Sequence, residues 1–293
     1  MAIYHLSMKI GSRSDGQNAV ASAAYRSGDK LLEQTEDTFK FYARDVQPEN
    51  TILAPSYSPS WVYNREELWN AVEKSEKRAD SQLFRELEIA LPRELDYEEQ
   101  KSLIKDFIQD ICVDKGMIAD IAVHRDNPLN PHAHVMLTTR EITPDGFALK
   151  NREWNKKNFL AETREQWASY TNKVLEKSNV VDFIDHRSHA DRGLETIPTK
   201  HLGVEANQME RRGIKTEIGD YNRKAKEYND KIISLQKRRE ELAKKNFDKI
   251  IQKQPITGVG TAVVPVQSFE INHKKLLIAF KNMKRSESEK HAP

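Results

Sequence analysis

The sequence has little of what marks secreted, disulfide-bonded or membrane proteins. Its single cysteine, Cys112, cannot form a disulfide within the chain. No apolar run approaches the roughly 18–20 residues that cross a bilayer. Residues 1–10 show neither the basic leader nor the continuous apolar block of an export signal. These absences exclude the usual secreted and membrane-spanning classes, so we expect a cytoplasmic protein in which Cys112 is a buried core thiol.

Net charge is also small, at +2, but it is unevenly distributed along the chain. Residues 201–293 contain 20 Lys and Arg against 12 Asp and Glu, whereas residues 1–200 contain 27 against 33. A basic segment favours a polyanionic partner such as DNA. The acidic balance of the first 200 residues means that any DNA groove there must be local.

Hydrophobic periodicity predicts an α+β fold with a mainly antiparallel sheet and helices that cover one face of it. Three prolines, Pro48, Pro55 and Pro59, indicate a connecting loop, and residues 141–155 indicate an exposed loop or hairpin. The predicted strands are 2–10, 83–91, 117–124 and 132–140, and the predicted helices are 17–32, 64–78, 96–113 and 157–176.

The composition changes after about residue 199. Charged, helix-patterned segments over 203–213 and 220–250 precede a linker-like stretch over 252–267 and a short helix over 268–284. We therefore predict two domains, residues 1–200 and a basic helical extension over residues 201–293. The linker-like, basic finish leaves room for a longer parent protein.

Three histidines lie close together in the segment HRDNPLNPHAH. Strand side chains alternate in direction, so His132 and His134 project from the same face of one strand. The short preceding loop brings His124, at the end of the neighbouring strand, opposite them. A single strand histidine is usually an ordinary core residue. Three at this spacing instead favour a divalent-metal site with open positions for substrate oxygens or water.

The same alternation places two carboxylates on or near the histidine face. These are Glu86 and Glu88, in the strand predicted over 83–91. A carboxylate there either orients an imidazole or accepts a proton from a nucleophile. The alternative for each is an ordinary solvent-facing glutamate, and this alternative is stronger for Glu88.

Several segments resemble the MobA/MobL relaxases of mobilisable plasmids, within the HUH nuclease group. They are MAIYHLSMKIGSRSDGQNAVASAAYRSG at the start, then FRELEIALPREL, then HRDNPLNPHAH, and also REQWASYTNKVLEKSN followed by IDHRSH. The resemblance covers about residues 1–215. It implies a sheet of about five strands.

The resemblance also implies a reaction. The nucleophilic tyrosine of the family matches Tyr25, and its active-site glutamate matches Glu86. The family's metal ligands match His124, His132 and His134, for Mn²⁺ or Mg²⁺. The implied function is site- and strand-specific nicking and rejoining of DNA at a plasmid transfer origin through a 5′-phosphotyrosine. Without the resemblance, a tyrosine in an alanine-rich helix is a packing residue, and Tyr4 and Tyr42 compete for the role of nucleophile.

Binding of single-stranded origin DNA requires basic and stacking side chains near this face. Each basic candidate, taken alone, is better explained as a solvated surface charge. The helical tail is a candidate surface for other relaxosome or coupling proteins. The basic candidates are Lys9, Arg13, Arg26, Arg140, Lys150, Arg152, Lys156 and Lys157.

Three other functions stay open. A zinc hydrolase would use the same histidines with a water molecule and would not depend on Tyr25. In HUH-type replication initiators the tyrosine usually follows the histidine pair, whereas Tyr25 precedes it. A non-catalytic DNA-binding mobilisation factor would rely on the basic tail and would survive loss of the histidines.

Overall fold

The computed structural model describes residues 4–200 and 202–252, which form two compact units with their boundary between Leu194 and Glu195. Most of the predicted linker over 252–267, and all of the helix predicted over 268–284, lie outside these residues. The helices are α1 Ala19–Ser27, α2 Arg65–Ser75, α3 Tyr97–Ile111, α4 Lys157–Lys177, α5 Gly203–Arg211 and α6 Glu217–Gln252. The strands are β1 Leu6–Ser12, β2 Leu31–Glu33, β3 Thr38–Lys40, β4 Glu49–Leu53, β5 Gln82–Ala90, β6 Ala119–His124, β7 His132–Thr138, β8 Arg140–Thr143 and β9 Gly146–Lys150. No helix within the described ranges is both long enough and apolar enough to cross a membrane.

The first unit is built on a five-stranded sheet with the order β1-β5-β7-β6-β4, in which every neighbouring pair is antiparallel. The predicted α+β fold is therefore confirmed, including the hairpin between β6 and β7. Strand β4 was predicted to be part of a connecting loop, and that prediction is wrong. Prolines flank the strand without interrupting it, and its half-buried residues at the sheet edge lack the alternation that sequence reading needs.

Helices cover both faces of the sheet, which corrects the prediction that they cover one. On one face, α3 and α4 pack against Leu87, Ile121 and Val135 to form the α3/α4 core. On the other face, α1 and α2 pack against Phe84 and Met136 to form the α1/α2 core. Phe84 and Met136 share the face of the histidines, so this face is apolar at one end and polar at the other.

The lone cysteine belongs to the α3/α4 core. Cys112 is fully buried, and this burial raises the pKa of its thiol to about 12. The prediction of a buried core thiol is confirmed, because a thiol in such surroundings stays protonated and unreactive.

Helix ends follow side-chain caps that are visible in the sequence. Asn64 accepts hydrogen bonds from the backbone N–H groups of Glu66 and Glu67 at the start of α2, and Asp96 forms a capping box at the start of α3. Helix α1 is shorter than predicted because it ends at Gly28, whose φ is +73°. A Cβ atom there would lie 3.0 Å from the Gln47 amide, so both the backbone and the packing favour glycine.

In the second unit, α5 and α6 correspond to the two helices predicted over 203–213 and 220–250. Arg223 of α6 binds Glu210 of α5 and Asp220. The side-chain amides of Asn222 and Asn229 bind the backbone of Lys200 and Ile197, so the segment that precedes α5 is tied to α6.

A buried ion pair joins α2 to β6 near the C-terminal end of α1. The Arg65 guanidinium donates two hydrogen bonds of 2.8 Å to Asp120, which is 5% exposed, and it also contacts Asp29. The Trp69 indole donates a third hydrogen bond of 2.8 Å to Asp120. Removal of one partner from such a network leaves a buried charge unpaired.

We expect Asp120→Ala to lower the free energy of unfolding by about 3 kcal/mol, because the buried Arg65 charge would keep only its contact with Asp29 and the Trp69 N–H would lose its acceptor. The control is Asp80→Ala, which breaks the exposed pair with Arg78 and should have a much smaller effect, because solvent screens that pair. Urea denaturation measures both. Equal effects of the two substitutions would show that the Asp120 network does not hold α2 on the sheet.

Candidate active site

The hairpin register brings the three histidines together at one end of the sheet. His124 and His132 are direct cross-strand partners, and His134 lies two residues further along β7 on the same face. One ring nitrogen from each lies within 4.8 Å of those of the other two. The ring centroids are 4.7–5.2 Å apart. The predicted convergence is therefore present.

Each imidazole has one nitrogen bound to an oxygen acceptor. His124 Nε2 lies 2.8 Å from the Arg26 carbonyl oxygen, and His132 Nδ1 lies 2.8 Å from the Asn130 carbonyl oxygen. His134 Nδ1 lies 2.8 Å from Glu86 Oε1. Metal-binding histidines are usually oriented in this way, with the second nitrogen left for the cation.

Burial keeps two of these histidines neutral. It lowers the pKa of His124 to about 4, and the hydrogen bond to the Arg26 carbonyl does not compensate. Burial also lowers the pKa of His132. A metal binds only unprotonated imidazole, so these groups fit a divalent cation without first losing protons at neutral pH.

Glu86 lies in the middle of β5 and links the histidines to α1. Its Oε1 accepts from His134 and from Arg26 Nε, and its Oε2 accepts from Arg26 Nη2, with both arginine distances at 2.5 Å. Burial opposes ionisation of Glu86, but the hydrogen bonds from His134 and Arg26 outweigh it and lower the pKa to about 2. The carboxylate is thus charged at neutral pH, with both oxygens occupied.

The second carboxylate, Glu88, is the direct cross-strand neighbour of His134. It pairs with Lys9 of β1 at 3.1 Å. Burial opposes ionisation of Glu88, but the hydrogen bond and the charge of Lys9 outweigh it and lower its pKa. Glu88 thus pairs with a lysine, whereas Glu86 accepts a hydrogen bond from His134.

Tyr25 lies in the last turn of α1 and is 53% exposed. The next residue, Arg26, has its carbonyl oxygen against His124, so the tyrosine belongs to the turn that borders the histidines. The Arg44 guanidinium donates to the Tyr25 carbonyl and stands 4.9 Å from its ring centroid. The Tyr42 ring packs edge-on at 5.4 Å. Sequence reading missed Arg44, because no local pattern connects it with Tyr25.

The two competing tyrosines are in different places. Tyr42 lies beside Tyr25, as described above. Tyr4 instead packs against the α3/α4 core, on the opposite face from the histidines, and its hydroxyl donates to the Arg164 carbonyl at 3.3 Å. Burial raises the pKa of Tyr4 to about 12. Its position and its protonation both argue against a role for Tyr4 at the histidine site.

The basic residues predicted to bind DNA separate into two groups. Lys9 and Arg26 bind Glu88 and Glu86 beside the histidines. A second group lies toward the opposite end of β5 and β7, where Arg13 binds Glu73 and where Arg140 and Lys150 bind Glu76. Arg140, Lys150 and Arg152 line a cavity of about 710 Å³ there, together with Arg85. Lys156 pairs with the neighbouring Glu153. DNA binding by these residues stays a prediction.

Fold and site together define an α+β protein with a cluster of oriented, largely neutral histidines on the polar part of an antiparallel sheet. The MobA/MobL family profile matches residues 17–212. Because this match spans more than half of the chain, the chain belongs to the MobA/MobL family, and the resemblance predicted from the sequence is confirmed.

Individual relatives agree with this assignment. Mobilization protein A of Escherichia coli is 34% identical, over 90% of this chain and 39% of that protein. Mobilization protein MobL of Acidithiobacillus ferridurans is 33% identical, over 72% of this chain and 65% of that protein. The conjugal transfer protein TraA of Agrobacterium fabrum is 35% identical, over 74% of this chain and 23% of that protein. The chain thus spans less than two thirds of the length of each.

A solved structure on the molecular basis of vancomycin resistance transfer in Staphylococcus aureus has a similar fold. The TM-score is 0.60 at 33% sequence identity. The superposition covers 64% of this chain and 100% of that one. The similarity therefore includes the whole of the compared domain.

Titration with Mn²⁺ tests the histidine centre and its orientation. We expect Glu86→Gln to weaken Mn²⁺ binding by about 10- to 100-fold, because His134 would lose its charged acceptor. We expect His134→Ala to weaken it further, since one of the three candidate ligands is lost. The matched control is Glu88→Gln, which changes the neighbouring carboxylate and should alter the affinity by less than about threefold. Isothermal titration calorimetry gives all three constants, and equal effects at Glu86 and Glu88 would contradict the assigned contacts.

The buried state of His124 predicts an acid-sensitive stability of the metal-free protein. Below its ordinary pKa of 6.5, His124 takes up a proton in the unfolded chain but stays neutral in the folded one until about pH 4. Falling pH therefore favours unfolding over this window, by about 2 kcal/mol at about pH 5.

The variant His124→Asn should lose correspondingly less stability between about pH 7 and about pH 5, measured by urea denaturation in the presence of a chelator. An unchanged pH dependence in His124→Asn would show that this imidazole is not buried in its neutral form.

Proposed function

We propose that this chain nicks and rejoins one strand of DNA at a plasmid transfer origin and thereby initiates conjugative mobilisation. Membership of the MobA/MobL family supports the class of function. The observation that carries the chemistry is the histidine cluster, with nitrogens within 4.8 Å, beside the helical turn that bears the exposed Tyr25. A divalent cation, Mn²⁺ or Mg²⁺, and single-stranded origin DNA are the proposed cofactor and substrate.

The proposed reaction is a transesterification at phosphorus. The Tyr25 oxygen attacks the scissile phosphate and loses its proton, the bond from phosphorus to the 3′ oxygen breaks, and this oxygen takes up a proton as a 3′-hydroxyl. One phosphodiester replaces another, so the 5′-phosphotyrosine retains the energy needed to rejoin the strand without a nucleotide cofactor. A cation bound by His124, His132 and His134 would polarise the phosphate and neutralise charge on its oxygens.

Glu86 serves this reaction as a positioning residue. Its two oxygens are occupied by Arg26 and His134, and its pKa of about 2 makes it a weak proton acceptor at neutral pH. Of the two roles open to a carboxylate at this place, the contacts therefore support orientation of an imidazole rather than deprotonation of Tyr25. Arg44 holds the other side of Tyr25 through the backbone carbonyl and the ring.

Two alternatives differ from this proposal in their dependence on Tyr25. A zinc hydrolase would cleave through an activated water and leave no covalent DNA adduct. A non-catalytic mobilisation factor would bind DNA without cleavage, even after loss of the histidines. A replication initiator of the HUH group would form an adduct, but on a replication origin instead of a transfer origin.

The decisive experiment uses labelled single-stranded oligonucleotides that carry plasmid transfer origins, with Mn²⁺ or Mg²⁺. We expect a covalent protein–DNA band on a denaturing gel that disappears with chelator, in Tyr25→Phe and in His134→Ala. Tyr42→Phe is the matched control, since its ring lies 5.4 Å from that of Tyr25, and it should retain the adduct.

A band that persists in Tyr25→Phe and disappears in Tyr42→Phe would move the nucleophile to Tyr42. Metal-dependent cleavage without an adduct would favour the hydrolase. DNA binding without any cleavage on the origins tested, unaffected by His134→Ala, would favour the non-catalytic factor.

A further inference from the structure

Several exposed aromatic rings lie next to Tyr25, on the β2–β3 hairpin and the segment that follows it. Strand β3 contacts α1, and the Tyr42 ring contacts the Tyr25 ring. Apolar rings that cluster at a protein surface, unlike rings that are exposed singly, mark binding sites. We call this surface the aromatic patch; it consists of Phe39, Phe41 and Tyr42, which are 60%, 56% and 41% exposed, with the cations Lys30 and Arg44.

The hairpin that carries the patch is firmly anchored. The Asn70 side chain, 5% exposed, accepts from the Gln34 N–H and donates to the Leu32 carbonyl. Glu33 is 1% exposed and accepts the N–H groups of the turn at 3.0 and 2.7 Å. Glu66 accepts the Leu32 N–H at 2.7 Å. These buried polar contacts hold the exposed rings on a rigid base, so the patch is preorganised for a ligand.

Cations stand against the faces of these rings. Lys30 Nζ lies 4.3 Å from the Phe39 ring centroid, and the Arg44 guanidinium lies 4.9 Å from that of Tyr25. Rings interleaved with cations match single-stranded nucleic acid, because its bases stack on the rings while its phosphates bind the cations. A purely apolar partner would bury the charges of Lys30 and Arg44 without supplying an anion to pair with them.

We propose that the aromatic patch binds unpaired bases of the DNA strand adjacent to the scissile phosphate. Phe39 and Phe41 stack on bases, and Lys30 and Arg44 bind the backbone between them. The patch borders Tyr25, so a strand held on it runs directly into the proposed nucleophile. This inference rests on the proposed function for the identity of the strand, but stacking itself requires no cleavage.

The test measures binding of a fluorescein-labelled, single-stranded origin oligonucleotide to the full chain by fluorescence anisotropy. We expect Phe39→Ala and Phe41→Ala each to raise the dissociation constant by about fivefold or more, since each removes a stacking ring. Phe39→Tyr keeps a ring and should bind like the wild type. Phe183→Ala is the matched control: Phe183 is 65% exposed and directly precedes Ile184 of the α3/α4 core, on the opposite face of the sheet.

Oligonucleotides with single abasic sites separate stacking from backbone contact. At least one abasic position should weaken binding to the wild-type protein. The same position should cause no further loss of binding in Phe39→Ala or Phe41→Ala, because the base and the ring form a single contact. Unfolding midpoints of the variants, compared with the wild type, check that these exposed substitutions leave the fold intact.

Binding of both alanine variants within about twofold of the wild type would overturn the proposal. So would equal losses on single strand and on a duplex of the same sequence, since those would indicate contact with the backbone alone. The cleavage proposal is tested separately. If binding depends on the rings and on the bases but no adduct forms, the aromatic patch is supported and the nicking function is rejected. If the wild type and the patch variants bind DNA and form the adduct equally well, the nicking function is supported and the aromatic patch is rejected.

Discussion

The structure depends most on one buried carboxylate, Glu86. Its charge is held between the Arg26 guanidinium on α1 and the His134 imidazole on β7, so a helix and a sheet that meet only along one face are joined at a fixed point. An ionised carboxylate that is 6% exposed is costly unless its oxygens are occupied. Any shift of α1 along the sheet would therefore break the contacts that keep this charge stable. Helix α1, which carries the proposed nucleophile Tyr25, therefore keeps a fixed position relative to β7, which carries the proposed ligand His134.

A second contact strengthens this coupling. The Arg26 backbone carbonyl faces His124, so the same residue binds the centre through its side chain and through its main chain. Helix α1 ends two residues later at Gly28, and the side-chain amides of Gln47 and Asn50 donate to the Ser27 carbonyl there. The end of α1 is thus fixed by β5, by β6 and by β4 together with the segment that precedes it. A helix end held in this way can present Tyr25 at a constant position although its side chain is half exposed.

Much of the site was predictable because it is local in sequence. The three histidines lie on one short hairpin, and a period of two along the strands is enough to place them on one face with Glu86. The partners that complete the site are remote. Arg26 and Glu86 are separated by 60 positions, and Arg44 and Tyr25 by 19, and no periodic pattern relates them. The coverage of both sheet faces escaped prediction for a related reason: Phe84 and Met136 interrupt a face that otherwise looks polar.

The division of the histidine face into an apolar and a polar half has a functional consequence. Where α1 and α2 cover the sheet, Phe84, Met136 and Trp69 exclude water, and the Asp120–Arg65 pair closes the border of this core. Beyond that border the same face opens at the histidines, beside Tyr25 and the aromatic patch. The covered half supplies the packing that keeps α1 and the β2–β3 hairpin in place, and the Glu86 contacts fix the end of α1 beside the histidines. The rings and imidazoles can therefore remain available to the proposed DNA strand, because this packing and the Glu86 contacts set their positions.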